Sequence, residues 1–106
     1  MTMHLALSAL LAIVLAWAGL LNLAAPAFVR AEFEKWGYPP ALRVLVGLME
    51  LCAAVLLLWP NGQRLGALIG GLVLLGVVAS LLRTREWLRL EYPLVLLAAV
   101  ALVALV

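Results

Sequence analysis

The composition of this 106-residue chain places most of it in lipid. Hydrophobic residues make up 69% of the sequence, charged residues make up 11%, and the mean hydropathy is +1.26. A water-soluble domain of this length leaves too much surface exposed to hide so many apolar side chains. The net charge of +2 comes with no clustered basic face, which argues against nucleic-acid binding. One membrane domain over residues 1–106 is therefore predicted.

Four apolar stretches predict four transmembrane helices. They cover about residues 3–25, 41–59, 65–82 and 87–106, and a helix needs roughly 20 residues to cross the hydrocarbon. The uncharged part of the fourth stretch, residues 93–106, rises only about 21 Å at 1.5 Å per residue. This span is therefore expected either to begin earlier, near Trp87, or to end inside the outer interface. Because backbone groups in lipid must be hydrogen-bonded within the segment, the predicted fold is an all-α, antiparallel bundle of four transmembrane helices.

The connection between the first two spans has a helical period of its own. Val29, Phe33 and Trp36 recur at i, i+4 and i+7, while the charged residues lie elsewhere around the helical wheel. Pro26 before this segment and Gly37 after it are typical of the start and the end of a helix. We predict a short helix here that lies in the membrane interface.

The basic residues indicate the orientation of the bundle. Arg64 alone lies between the second and third spans. The other six basic residues lie in or beside the connections after the first and third spans: Arg30, Lys35, Arg43, Arg83, Arg85 and Arg89. By the positive-inside rule, the side with six basic residues is cytoplasmic. We therefore predict a multi-pass protein of the cell membrane with both termini on the non-cytoplasmic side.

Small residues form helical stripes within the spans. In the third span and the turn before it, glycines at four-residue spacing make two overlapping GxxxG units. Small residues at such spacing let helix backbones approach closely, although the pattern says little about chemistry. We predict that four glycines serve helix packing: Gly19, Gly62, Gly66 and Gly70.

Glu50 is the strongest candidate for a functional group. It lies in the second span, and no other charged residue occurs within six positions on either side. Gly47 at i−3 and Ala54 at i+4 place it on the packed side of the helix, away from lipid. A charge at this depth costs on the order of 2.5–3.5 kcal/mol, so a polar partner is expected.

Two side chains are candidates for that partner. Asn22 lies on the small and polar stripe of the first span, and Arg43 lies on the same face as Glu50. Since Arg43 is about 10 Å away along the helix axis, a direct pair with Glu50 is not favoured, and contact of Arg43 with a neighbouring helix is the alternative. Glu50, Asn22, Arg43 and Gly47 are therefore the candidate residues of a ligand or proton site. A structural acid that fixes the helix register is an equally weighted alternative.

The sequence offers little for a self-contained catalytic or metal centre. Cys52 has no second cysteine to pair with and is expected to be a small buried apolar residue. His4 stands alone, without the further ligands that a metal or haem site needs. No set of nucleophile, base and orienting residue can be assembled. We predict no catalytic residue, no metal site and no cofactor site built by this chain alone.

Three motifs occur together between residues 18 and 60. The first span ends on AGLLN (18–22), the connection contains FEKWGYPP (33–40), and the second span contains GLME (47–50). This set resembles the DoxX-like family of small four-helix membrane proteins. Two positions differ from the pattern of that family. Asn22 stands where a Lys or His is common, and the third span ends on SLLR (80–83), without the His that is often found there.

The resemblance implies a role linked to redox chemistry. Some members of the family are membrane subunits of sulfur- and quinone-linked oxidoreductases, and others belong to oxidative-stress assemblies or act as membrane chaperones. For this chain it implies an accessory or anchoring subunit that contacts membrane lipid and a partner membrane subunit or a second copy. A bound quinone or lipid is compatible with that role.

Two alternatives stay open from the sequence. One is a proton-coupled transporter of small molecules that uses Glu50. In the small multidrug resistance transporters, however, the key Glu lies in the first span, whereas here it lies in the second. The other alternative is a structural or chaperone-like membrane protein. Proton-coupled transport would separate the first alternative from the rest.

Overall fold

A computed structural model describes residues 2–105 of the chain. Within that range it contains no strand and five α-helices: α1 (Thr2–Ala24), α2 (Ala27–Trp36), α3 (Pro40–Leu58), α4 (Gln63–Arg83) and α5 (Glu91–Leu105). A short 3-10 helix, Trp87–Arg89, precedes α5. Four segments are long and apolar enough to cross a membrane, namely α1, α3, α4 and the stretch Trp87–Leu105. The predicted all-α membrane fold with a short helix between the first two spans is confirmed; Val106 lies outside the described residues.

The bundle is closed by contacts between neighbouring helices. α1 packs on α3, α3 on α4, and α4 on α5, and α5 returns to contact α1. The buried core contains many small side chains, which let the helices approach closely. Its members are Leu11, Ala12, Leu15, Ala53, Ala54, Leu57, Ala67, Leu74, Val100 and Val103. Large apolar side chains such as Leu10, Val55 and Leu72 point outward, as expected for helices surrounded by lipid.

The two ends of the bundle differ in composition. At one end His4, near the start of α1, donates a hydrogen bond through Nε2 to the carbonyl oxygen of Val103 at 3.0 Å. These two residues line one cavity together with Arg64 and the turn between α3 and α4. The opposite end carries α2 and the connection between α4 and α5. The end that carries α2 therefore also carries the six basic residues that the positive-inside rule assigns to the cytoplasmic side.

The glycines predicted to serve packing lie where backbones come together. A Cβ atom on Gly19 would lie 2.9 Å from the carbonyl oxygen of Gly47 on α3. On Gly66 it would lie 2.9 Å from the carbonyl oxygen of Ala53, and on Gly70 it would lie 2.9 Å from Leu15 Cδ1. The fourth glycine of this set, Gly62, precedes α4 and belongs to the turn, where a Cβ would lie 2.9 Å from the carbonyl oxygen of Leu56.

The short helix α2 begins and ends where the sequence indicates. Pro26 precedes it in an extended conformation, and Gly37 ends it in the left-handed region with φ of 81°. The N–H groups of Gly37 and Tyr38 donate to the carbonyl oxygens of Glu34 and Phe33, each at 3.0 Å, which closes the helix with a Schellman motif. Val29 and Trp36 are buried beneath the helix. α2 therefore lies with its apolar face on the end of the bundle.

Cys52 does not have the predicted environment. Its side chain is exposed on the outer face of α3, not buried. At 100° per residue it lies about 200° around the helix from Glu50. Because α3 packs its Glu50 side against the other helices, the opposite side faces the surroundings of the bundle.

Candidate functional site

Glu50 lies inside the bundle with one direct hydrogen-bond partner. Glu50 is only 6% exposed, and the Nδ2 amide of Asn22 donates a hydrogen bond to the Oε1 of Glu50 at 2.5 Å. Of the two candidate partners, Asn22 on α1 is therefore the one that contacts Glu50 on α3. Gly47 makes it sterically feasible, because a Cβ there would lie 3.2 Å from the Cβ of Asn22. The absence of a side chain at Gly47 leaves Asn22 room to reach along α3 toward Glu50.

Arg43 reaches the same place by a different route. Its Nη1 donates a hydrogen bond to the backbone carbonyl oxygen of Asn22, near the end of α1. The last carbonyl groups of a helix have no partner within the helix, and a cation near them is favourable. Arg43 thus meets the neighbouring helix α1, and it connects to Glu50 through Asn22. In the described part of the chain, the ion pairs are Lys35–Glu86, Arg89–Glu32 and Arg89–Glu86. Glu50 takes part in none of them.

Glu50 and Asn22 line one cavity of about 190 Å³, which we call the carboxylate cavity. The buried acid lies at its inner end, and exposed residues such as Arg89 lie at its outer end. α2 and the start of α5 supply its aromatic and charged lining: Phe28, Glu32, Phe33, Trp36 and Tyr92. The cavity thus brings a membrane-embedded carboxylate together with several aromatic rings.

A second cavity, of about 270 Å³, lies between α2, α3 and α4. We call it the aromatic cavity, and it is lined by Phe33, Trp36, Tyr38, Leu42, Val46, Met49, Leu72, Val73, Gly76, Val77 and Ser80. The rings of Phe33 and Trp36 pack edge-on with their centroids 5.6 Å apart, and the Tyr38 ring lies 6.2 Å from Phe33. Phe33 and Trp36 line both cavities, so these two rings stand between them.

A pair of hydroxyl groups supplies the polar part of the aromatic cavity. The oxygens of Tyr38 and Ser80 lie 2.6 Å apart. The Ser80 hydroxyl donates to the carbonyl oxygen of Gly76 at 2.8 Å, so the proton between the two hydroxyls belongs to Tyr38. The sequence prediction did not include this pair. Tyr38 lies within the FEKWGYPP motif, and Ser80 is a polar residue near the end of the third span, but neither signal indicates that the two meet.

Glu86 joins α2 to the connection between α4 and α5, which the sequence prediction also missed. It accepts hydrogen bonds from Lys35 Nζ at 2.6 Å, from Arg89 Nη1 at 2.6 Å and from Trp36 Nε1 at 3.4 Å. The Thr84 hydroxyl donates to it as well. The hydrogen bonds from Lys35, the largest cause, and from Thr84 lower the pKa of Glu86 to about 2. The carboxylate is therefore ionised at neutral pH and holds α2 in place.

Arg83 supports the same end of α2. Its guanidinium donates a hydrogen bond to the backbone carbonyl oxygen of Trp36 and lies 5.1 Å from the centre of the Tyr38 ring. Capping the last turn of α2 in this way satisfies a carbonyl group at the helix end. The contact with Tyr38 is a cation–π interaction, which orients the ring at the wall of the aromatic cavity.

His4 and the packing glycines of the third span lie away from this region. His4 is at the opposite end of the bundle, and Gly62, Gly66 and Gly70 lie along the packing of α4 and the turn before it. Among residues 2–105, no group of three or more His, Cys, Asp or Glu side chains could hold a metal ion. Among the described residues, the polar and aromatic side chains that could bind a ligand thus lie around Glu50 and beneath α2.

Comparisons with known proteins identify the family. No curated protein and no solved structure matches the chain. The family model described as the DoxX-like family matches residues 6–103, almost the whole chain. That range includes the motifs around Asn22, Tyr38 and Glu50, and it includes most of each of the four candidate membrane spans. The chain is a small multi-pass membrane protein that belongs to the DoxX-like family.

Proposed function

We propose that this chain is an accessory or anchoring subunit of a quinone-linked redox system in the membrane, and that its aromatic cavity holds a quinone ring. The observation that carries the proposal is the aromatic cavity itself, with its single pair of hydroxyl groups. The redox centre of such a system would come from a partner subunit.

The lining of the aromatic cavity suits a planar ring with carbonyl groups. Small-molecule sites are mostly apolar and aromatic, with a few polar groups that set the orientation of the ligand. Phe33, Trp36 and Tyr38 provide the rings, and the Tyr38 hydroxyl can turn from Ser80 toward a ligand carbonyl. The volume of about 270 Å³ lies just below the usual range of roughly 300–1,000 Å³. It therefore favours a single ring over a larger ligand.

The cavity also has a route for the tail of such a lipid. Gly76 and Leu72 line it and are exposed on the outer surface of α4. A Cβ at Gly76 would meet no atom within 4 Å, so the wall of the aromatic cavity is open at this point. A bound quinone would supply reversible redox chemistry, while the residues of this chain bind its ring, orient it and exclude water.

Filling the cavity tests the binding of a quinone. Gly76→Leu would place a side chain in open space at the cavity wall, so it should fold and yet block the ring. Ala79→Leu is the matched control, because Ala79 is an exposed α4 residue outside the lining. Quenching of tryptophan fluorescence by a short-chain ubiquinone analogue measures binding to protein in detergent.

The expected result is saturable quenching for the unmodified chain and for Ala79→Leu, with loss of saturation for Gly76→Leu. Tyr38→Phe should weaken binding by about tenfold or less, which corresponds to one hydrogen bond of roughly 0.5–1.5 kcal/mol. Equal quenching by all four proteins would refute a quinone site in this cavity.

The subunit role needs a separate measurement. Native membranes are solubilised in mild detergent, and the tagged chain is purified and analysed for flavin, haem or iron–sulfur absorbance. A stoichiometric redox subunit that stays bound through gel filtration supports the accessory role. A chain that purifies alone after chemical cross-linking in the membrane contradicts it.

Glu50 favours a second candidate function, proton-coupled transport of a small molecule. An ionisable residue inside a membrane span is costly and is most often functional. Glu50 is buried and lies at the end of a cavity that reaches the outer surface of the bundle. In reconstituted vesicles, substrate movement that dissipates a proton gradient and that Glu50→Gln abolishes would support this function. A proton gradient that is unaffected by every substrate tried with the unmodified chain would count against it.

A further inference from the structure

We propose that the carboxylate cavity binds a small organic ammonium ion, with Glu50 as the counter-ion and the aromatic side chains around the cationic head. This inference goes beyond the quinone-linked role and does not depend on it. It names the ligand class for the Glu50 site of the second candidate function, and binding can be measured without transport.

The charge of the cavity favours a cation. Of the charged side chains that line it, Glu32 and Arg89 are paired with each other, and Arg89 is also paired with Glu86. Glu50 receives only the neutral Asn22 amide. Arg43 is the other cation nearby, and it is bonded to the backbone carbonyl of Asn22. One carboxyl group without an ionic partner is thus left at the inner end.

The aromatic lining favours an organic cation over a metal ion. The lining includes the rings of Phe28, Phe33, Trp36 and Tyr92. Aromatic faces attract ammonium groups through their quadrupole, and quaternary ammonium ligands are recognised by cages of such rings. A hard metal ion would instead need several oxygen ligands. Among the described residues, no cluster of acidic, His or Cys side chains suits a metal at this place.

The dimensions limit the ligand to a compact head group. The volume of about 190 Å³ is well below the roughly 300–1,000 Å³ of sites for drug-sized molecules, although it exceeds the space of about 10–15 Å³ that one water needs. Phe28 and Tyr92 are 65% and 56% exposed, so the outer end of the cavity is open to the surroundings. An alkylammonium head fits inside, and any longer chain attached to it would extend outward past these two rings.

The probe is choline, and its control is the neutral carbon isostere in which carbon replaces the ammonium nitrogen. Binding is measured by isothermal titration calorimetry on the full chain in neutral detergent. The two probes have nearly the same shape, so a difference in affinity reports the charge. We expect the affinity for choline to be higher than the affinity for the isostere by about tenfold or more.

Three variants locate the site. Glu50→Gln keeps the shape and the hydrogen bond of the side chain, and it should weaken choline binding by about tenfold or more while leaving the isostere unchanged. Tyr92→Leu removes an exposed ring and should weaken choline binding roughly two- to fivefold, as expected for one cation–π contact of about 0.5–1 kcal/mol. Glu34→Gln is the matched control, because Glu34 is an exposed acid outside the cavity.

Several outcomes would overturn the inference. Equal affinity for choline and for the isostere would mean that the positive charge of the ligand does not contribute to binding. An effect of Glu34→Gln as large as that of Glu50→Gln assigns the effect to surface charge. If Glu50→Gln does not fold, unchanged choline binding by Tyr92→Leu and Phe28→Leu is sufficient to reject the cavity. None of these results bears on quinone binding, which is measured in the aromatic cavity.

Discussion

The close crossing of α1 and α3 at Gly19 leads to a sharp prediction about stability. A Cβ on Gly19 would lie 2.9 Å from the carbonyl oxygen of Gly47 and 2.9 Å from Leu51 Cγ, whereas ordinary contact begins near 3.4 Å. The first of these atoms is backbone and cannot rotate away. Gly19→Ala must therefore separate the two helices that hold Asn22 against Glu50.

The magnitude follows from a comparison of two glycines. Overpacking of this kind costs about 1–3 kcal/mol. Replacing a helical Gly by Ala also gains about 1 kcal/mol through backbone propensity, and this gain partly masks the cost. Gly76→Ala has the same gain in helix propensity but no overpacking cost, because a Cβ there meets no atom within 4 Å. The difference between the two variants in free energy of unfolding should therefore be about 1–3 kcal/mol, with Gly19→Ala the less stable.

The measurement is reversible unfolding by SDS in mixed micelles, followed by tryptophan fluorescence. Comparing the two variants cancels effects of the detergent and of helix propensity. If Gly19→Ala proved as stable as Gly76→Ala, α1 and α3 would not be in close contact at Gly19, and the reasoning would be refuted.

Three further predictions concern Glu50, Glu86 and the orientation of the bundle. Glu50→Gln should leave the free energy of unfolding in the same SDS titration nearly unchanged, whereas Glu50→Leu should lower it by about 1–3 kcal/mol because Asn22 loses its acceptor. The pKa of Glu86 is lowered, so the contribution of Glu86 to holding α2 is complete above pH ~4.3, the ordinary value for Glu, and is lost as the pH falls toward about 2. Protection factors of the α2 amides, with exchange at each pH divided by its intrinsic rate, measure this loss. In a Cys52→Ala background, an impermeant thiol reagent applied from outside the cell should label Asn61→Cys, which lies in the turn at the end shared with both termini, and should not label Arg85→Cys.

Each of these predictions has an opposing result. Unfolding caused by Glu50→Gln would mean that an ionised carboxylate holds the bundle. Protection factors of the α2 amides that are the same at pH 2 and pH 6, or that are unaffected by Glu86→Gln, would mean that Glu86 does not hold the helix. Labelling of Arg85→Cys alone would reverse the proposed orientation.

The sequence alone determined the membrane setting, the number of helices and the face of its helix on which Glu50 lies. Hydropathy and backbone hydrogen bonding act within one segment, so they specify a span without reference to its neighbours. The two ends of α2 were also set by local sequence, because the ring of Pro26 fixes φ before the helix and Gly37 readily adopts the left-handed conformation that ends it. Helical spacing was enough to put Glu50 on the packed face of its helix.

The tertiary structure decided which distant side chains meet. Tyr38 and Ser80 are 42 positions apart, and Lys35 and Glu86 are 51 apart. Their contacts depend on how far each helix is rotated and on where α2 lies across the end of the bundle. The exposure of Cys52 depends on the same rotation, since burial follows from which helices pack on α3. Periodicity defines a face of a helix, but only the packing of neighbouring helices determines what that face contacts.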